Sequence, residues 1–127
     1  MSEAAVIVRH NSGEASLPTA GSVLIIDDEA AIRESLETLL ELEGYGVESA
    51  ASGEEGLTRI GERSFDLVLL DLALPDRNGM DLLAEIRLQD PGLSIIMVTA
   101  YGTVENAVKA MQAGAANFIQ KLSLIHI

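Results

Sequence analysis

Short apolar runs set between stretches of helical periodicity constrain this chain more than any other feature. Four are clear: Val23-Leu24-Ile25-Ile26, Val47 to Ala50, Leu67-Val68-Leu69-Leu70 and Ile95-Ile96-Met97-Val98, with a weaker fifth from Ala116 to Ile119. Three of them are apolar without alternation, the pattern of strands in a parallel sheet covered by helices on both faces. Between them, Ile32, Leu36, Leu39 and Leu40 form one helical stripe that Gly44 stops after Glu43. Ser52 and Glu55 have capping-box spacing ahead of Leu57 and Ile60. A third helix is expected from about Gly79 through Leu82, Leu83 and Ile86 to Asp90-Pro91, where proline blocks continuation. Thr103 can cap a fourth, whose Val104, Ala107, Val108 and Met111 share a face before Gly114 ends it. The order β-α-β-α-β-α-β-α-β predicts right-handed crossovers and an α/β fold with an open, doubly wound, five-stranded parallel sheet.

The 127 residues suffice for one domain. Residues 1–21 read as a flexible N-terminal tail, because Val6-Ile7-Val8 is too short to anchor much and His10-Asn11-Ser12-Gly13 is turn-like. A formal charge of −12 with only eight Lys and Arg argues against nucleic-acid binding by this chain. The absence of cysteine removes disulfides and thiolate metal sites. No apolar run reaches membrane-spanning length, and a cytoplasmic location is expected. His10 and His126 are not offered as ligands, and Glu34, Glu37, Glu41 and Glu43 read as a solvated helix face. Gly44-Tyr45-Gly46 precedes a strand and lacks the third glycine of a dinucleotide fingerprint.

In an open α/β sheet, ligands bind beyond the carboxyl ends of the strands. Here the first strand ends in Asp27-Asp28-Glu29, the third in Asp71, the fourth in Thr99, and the fifth in Lys121 just after Phe118. Each acidic end, taken singly, is as readily a turn former. Carboxylates converging on one edge repel one another, and a hard divalent cation relieves this. Mg2+ suits such a site, since it takes oxygen ligands and keeps several waters. Asp71, Thr99 and Lys121 then supply a nucleophile, a hydroxyl donor and a balancing cation for phosphoryl transfer.

The segments Ile25-Ile26-Asp27-Asp28-Glu29, Leu69-Leu70-Asp71-Leu72-Ala73-Leu74-Pro75-Asp76-Arg77-Asn78-Gly79 and Val98-Thr99-Ala100 resemble the response-regulator receiver family of two-component signalling. The resemblance spans Val23 to Lys121. It implies a flavodoxin-like (βα)5 receiver fold, here lacking its last helix, over residues 22–121. It also implies that Asp71 accepts a phosphoryl group from a histidine kinase or phosphotransfer protein. Asp28 and Asp27, with Asp71 and the main-chain carbonyl of Ala73, would hold Mg2+. Thr99 matches the switch hydroxyl, Phe118 the switch aromatic, and Lys121 the lysine that pairs with the acidic site. A receiver is not an enzyme acting on other molecules, since it catalyses only its own phosphorylation and dephosphorylation.

Val98 to Val108 with Gly114-Ala115 most resembles receivers of nitrogen-regulation-type transcription activators, which carry output domains after the receiver. A homodimer through the fourth-helix and fifth-strand face is a further expectation. Haloacid-dehalogenase-type phosphatase chemistry is disfavoured because Ala73 stands where that chemistry needs a second aspartate. A partner-binding pseudo-receiver is disfavoured by the intact Asp28, Asp71, Thr99 and Lys121. The residues leave open whether the receiver stands alone or belongs with an output domain. After the lysine, Leu122-Ser123-Leu124-Ile125-His126-Ile127 departs from the family pattern and matches one reading frame of a transposase sequencing adapter, so residues 122–127 are expected to be a non-native tail.

Overall fold

The computed structural model describes residues 21–100 and 103–121. The segments read as tails, residues 1–20 and 122–127, therefore lie outside the described residues. Five strands form one sheet: β1 (Ser22–Ile26), β2 (Gly46–Ala50), β3 (Leu67–Leu70), β4 (Ser94–Thr99) and β5 (Asn117–Gln120). Four helices alternate with them among the described residues: α1 (Ala30–Leu42), α2 (Gly53–Glu62), α3 (Gly79–Gln89) and α4 (Val104–Gln112). All strand pairs are parallel, in the order β2-β1-β3-β4-β5, so the chain winds outward both ways from β1. This is the doubly wound, flavodoxin-like order.

Alternate residues of each central strand enter different cores, which explains why the runs lack polar alternation. Val23, Ile25, Leu67, Leu69, Ile96, Val98 and Ile119 share one cluster with Ile32, Leu36 and Leu40 of α1. Leu24, Ile26, Val68, Leu70, Ile95 and Met97 join the other, with Leu82, Leu83 and Ile86 of α3 and Ala110 of α4. Each such Leu or Ile, removed from water on both sides, contributes about 2 kcal/mol of burial free energy. At the sheet edge, β2 buries only Ala50 completely, in keeping with its mixed Val-Glu-Ser sequence.

The helix ends follow local chemistry. Glu55 N–H donates to Ser52 Oγ at 3.2 Å, and Glu55 Oε1 accepts from Ala51 N–H at 2.6 Å. Asn78 Oδ1 accepts from Met80 N–H at the start of α3, and Thr103 Oγ1 from Asn106 N–H at the start of α4. Gly44 and Gly114, at φ 93° and 107°, take the left-handed conformation that stops α1 and α4.

The bulky apolar residues of α4 do not mark its buried side. Val108 and Met111 are each 49% exposed, whereas Ala110 is fully buried and Ala113 and Ala115 pack into the same core. The α4 side facing the sheet is the alanine side, because small side chains let a helix lie close to its neighbours. Side-chain bulk is therefore no guide to the buried stripe of this helix. In α1, Leu39 is similarly only half-buried beside the buried Ile32, Leu36 and Leu40.

Candidate functional site

The register brings the strand ends level. Ile26 pairs with Leu70, Leu70 with Met97, and Thr99 with Gln120. Two further backbone hydrogen bonds carry the ladder past the strands: Asp27 N–H donates to Ala50 O at 3.0 Å, and Asp71 N–H to Ile26 O at 2.9 Å. Asp27 and Asp71 are therefore placed by sheet backbone and not by free loops. Behind Asp71, Gly79 N–H donates to Leu72 O at 2.8 Å, and a Cβ at position 79 would lie 2.5 Å from both Asp71 O and Leu72 Cα. Only glycine allows α3 to begin this close to the Asp71 backbone.

Four polar or charged residues are buried among the described residues, and all four end strands at this edge: Asp27 (2% exposed), Asp71 (2%), Thr99 (0%) and Lys121 (4%). Lys121 Nζ donates to Asp27 Oδ1 at 3.2 Å, to Asp71 Oδ2 at 3.1 Å, and to Glu29 Oε1. Burial raises the Asp27 carboxyl to about 6, against the opposing hydrogen bond from Glu29 N–H, with the Asp71 charge adding to the rise. Burial raises Asp71 as well, although Lys121 pulls it back. For Lys121, burial favours the neutral amine, but the bond to Glu29 and the charges of Asp27 and Asp71 outweigh it and hold the ammonium above the ordinary lysine range. The result is a buried cation shared among carboxylates whose own ionisation is costly.

One oxygen from each of Asp27, Asp28, Glu29 and Asp71 lies within 4.8 Å of the others. That all-oxygen set, with the exposed Asp28 open to solvent, fits a hard divalent cation that retains water. Each predicted residue can now be placed. Asp27, Asp28, Asp71 and Lys121 come together. Thr99 closes β4, with its strand partner Gln120 adjacent to Lys121 in sequence. Ala73 N–H donates to Asp71 Oδ1 at 3.3 Å. Phe118 is half-buried and packs on the core shared by α2, α3 and α4.

Three contributions were not anticipated. Glu29 was noted as a strand-end acid without a role and proves to be a Lys121 partner. Arg33 Nη1 donates to Asp27 O at 2.7 Å, fixing α1 to the site. Asp76 accepts from Gly53 N–H and Glu54 N–H at 2.9 Å each, which lowers its carboxyl below the usual range and ties the loop after Asp71 to the start of α2. Its position one residue after Pro75 reads as an ordinary turn, and only the distant amides reveal its use.

A family model described as the response regulator receiver domain matches residues 23–124. The alginate biosynthesis transcriptional regulatory protein AlgB of Pseudomonas syringae pv. tomato is 43% identical over 108 residues, covering 85% of this chain and 24% of that protein. The chain thus spans about a quarter of the length of this curated relative. A CheY-like response regulator receiver domain protein from Methanospirillum hungatei has a TM-score of 0.77 at 44% identity, covering 84% of this chain and 82% of that one. A Burkholderia pseudomallei response regulator, solved with a phosphorylated aspartic acid, a calcium ion and citrate, has a TM-score of 0.76 at 32% identity, covering 80% and 59%. Among the described residues, no helix is long and apolar enough to cross a membrane.

Proposed function

The chain belongs to the response regulator receiver domain family, and on that premise we propose that it is a phosphorylation-dependent switch whose acceptor is Asp71. The observation that carries this reading is the buried Lys121 ammonium, 3.1 Å from Asp71 Oδ2 and also bonded to Asp27, at the edge where the acidic strand ends converge. An Asp71 carboxylate oxygen forms a bond to phosphorus while the bond from phosphorus to the leaving group breaks, and the leaving group departs with the electron pair. The product is an acyl phosphate. Lys121 stays protonated throughout and balances charge on the phosphoryl oxygens. Asp27, Asp28, Asp71 and the Ala73 carbonyl would hold Mg2+, which would supply the additional positive charge that this acidic edge needs.

Transmission falls to Thr99, whose hydroxyl turns to the phosphoryl group, and to Phe118, which repacks beside α4 in response. The donor is a histidine kinase or phosphotransfer protein in the cytoplasm. The output is transcription regulation through a further domain, as the name of the AlgB relative supports, and a homodimer through the α4–β5 face is the corresponding assembly. The only catalysis is that of its own phosphorylation and dephosphorylation. Incubation with acetyl phosphate and Mg2+ should add one acid-stable, base-labile phosphoryl group by intact mass. Asp71→Asn should gain none, and equal labelling of that variant would overturn the assignment.

A further inference from the structure

An ammonium group has three N–H donors, and all three on Lys121 are engaged, by Asp27 Oδ1, Glu29 Oε1 and Asp71 Oδ2. A phosphoryl group arriving at Asp71 can bond Lys121 only if one partner lets go. The three partners are not equivalent. Asp27 and Asp71 are short side chains fixed by sheet backbone, and their side chains are 3% and 2% exposed. Releasing Asp27 would strip a buried carboxylate of the ammonium, and Asp71 is itself a carboxylate until its oxygen has bonded phosphorus, so neither yields its N–H as the phosphoryl group approaches. The Glu29 side chain is longer and 55% exposed, so its carboxylate passes to water when released.

Its place in the chain gives a second reason. Glu29 occupies the N-cap of α1 with extended backbone, but its side chain makes no capping hydrogen bond there. The other three described helices are each capped by the side chain of Ser52, Asn78 or Thr103. Glutamate is not a favoured N-cap residue. At this position it reaches across the sheet edge to Lys121, while its own N–H donates to Asp27 Oδ1 at 2.8 Å.

We propose that Glu29 is a positioning residue that acts through Lys121, holding the N–H that the phosphoryl group takes over on transfer. The proposal rests on Asp71 being the phosphoacceptor. Before transfer, Glu29 keeps the ammonium in place and fully bonded. During transfer, it yields its contact and turns to solvent. It is thus a brake on labelling whose removal quickens the step, in contrast to the loss expected when a group that binds the phosphoryl oxygens is removed.

The experiment compares wild type, Glu29→Gln and Glu29→Asp with acetyl phosphate over a range of Mg2+ concentrations, following the phosphoryl group by intact mass. Aspartate keeps the charge but is one methylene too short for the contact. Both variants should label roughly two- to fivefold faster at saturating Mg2+, the rate equivalent of losing a partly exposed ion pair, with little change in the Mg2+ concentration for half-maximal rate. An unchanged or slower rate overturns the proposal. A large rise in the half-saturating Mg2+ concentration with a slower saturated rate would instead make Glu29 a metal ligand, and overturns it too. The Lys121 ammonium resonance, observed by 15N NMR without phosphodonor, should move in Glu29→Gln. If it does not, the contact is absent and the proposal fails while Asp71 stands as acceptor. If wild type takes up no phosphoryl group, the acceptor reading fails and takes the role of Glu29 with it.

Discussion

The two edges of the sheet use polar side chains in opposite ways. At the amino edge, charged groups lie near the surface and bond to backbone. Arg87 Nη1 donates to Pro91 O and Leu93 O, and Nη2 to Gly114 O, tying the loop before β4 to the turn before β5. Asp66 Oδ2 accepts from Ser22 N–H, joining the entries of β3 and β1. At the carboxyl edge, by contrast, Asp27, Asp71 and Lys121 are buried and bond chiefly to one another. The first arrangement completes backbone hydrogen bonding and holds the strands in register. The second leaves ionised groups dependent on each other, so that adding a cation or a phosphoryl group changes the balance of the whole cluster. The sheet is fastened at one edge and responsive at the other.

Replacing Lys121 with Met breaks this contrast most severely. Removing the shared cation leaves buried carboxylates uncompensated, which should cost about 3–5 kcal/mol in a melt without metal. Mg2+ should restore part of that loss, and labelling from acetyl phosphate should fall on the order of a hundredfold. Arg87→Met tests the other edge, where losing its hydrogen bonds should cost about 2 kcal/mol by urea melt and leave the labelling rate unchanged. A large labelling defect would show that the edges are not separable.

A smaller effect follows from Asp27. Its carboxyl is raised to about 6 in the fold, so between the unfolded value of 3.8 and about 6 the metal-free folded chain holds a proton there that the unfolded chain does not. The stability linked to this group is full below the unfolded value of 3.8 and is lost as pH rises through about 6. Mg2+ opposes that loss, and proton and metal compete. Thermal melts with and without Mg2+ should therefore diverge as pH is raised between about 4 and 6, and no divergence would place the metal elsewhere. Subtlest of all, Thr99→Ala should still accept the phosphoryl group while hydrogen exchange from Thr103 to Phe118 loses its response to phosphorylation. An undiminished response would remove Thr99 from the coupling.

Much of this organisation is legible in the chain because it is local. Val23–Ile26 and Leu67–Leu70 announce strands buried on both faces, and the residues immediately after them, Asp27 and Asp71, mark the responsive edge. Ser52, Thr103, Gly44 and Gly114 act within a few residues of where they stand, and each caps or stops a helix as its chemistry dictates. What escaped sequence reading depends on distance. The acceptors of Arg87 include Gly114 O, and those of Lys121 include Glu29, pairings that exist only once the sheet is assembled. The buried side of α4 is hard to read for a different reason: Ala110 buries little area of its own but permits close approach, and a pattern scored by bulk favours the exposed Val108 and Met111.

The central claim is that Asp71 is the residue at which the carboxyl edge responds. Borohydride trapping tests it at single-residue resolution, because hydride reduces an aspartyl phosphate to the alcohol and converts that residue to homoserine. After labelling with acetyl phosphate and Mg2+, peptide mass spectrometry should find homoserine at position 71, and the conversion should disappear when the phosphodonor is omitted. Homoserine at position 27 or 28, or no conversion in a sample that carries the added phosphoryl mass, would contradict the account.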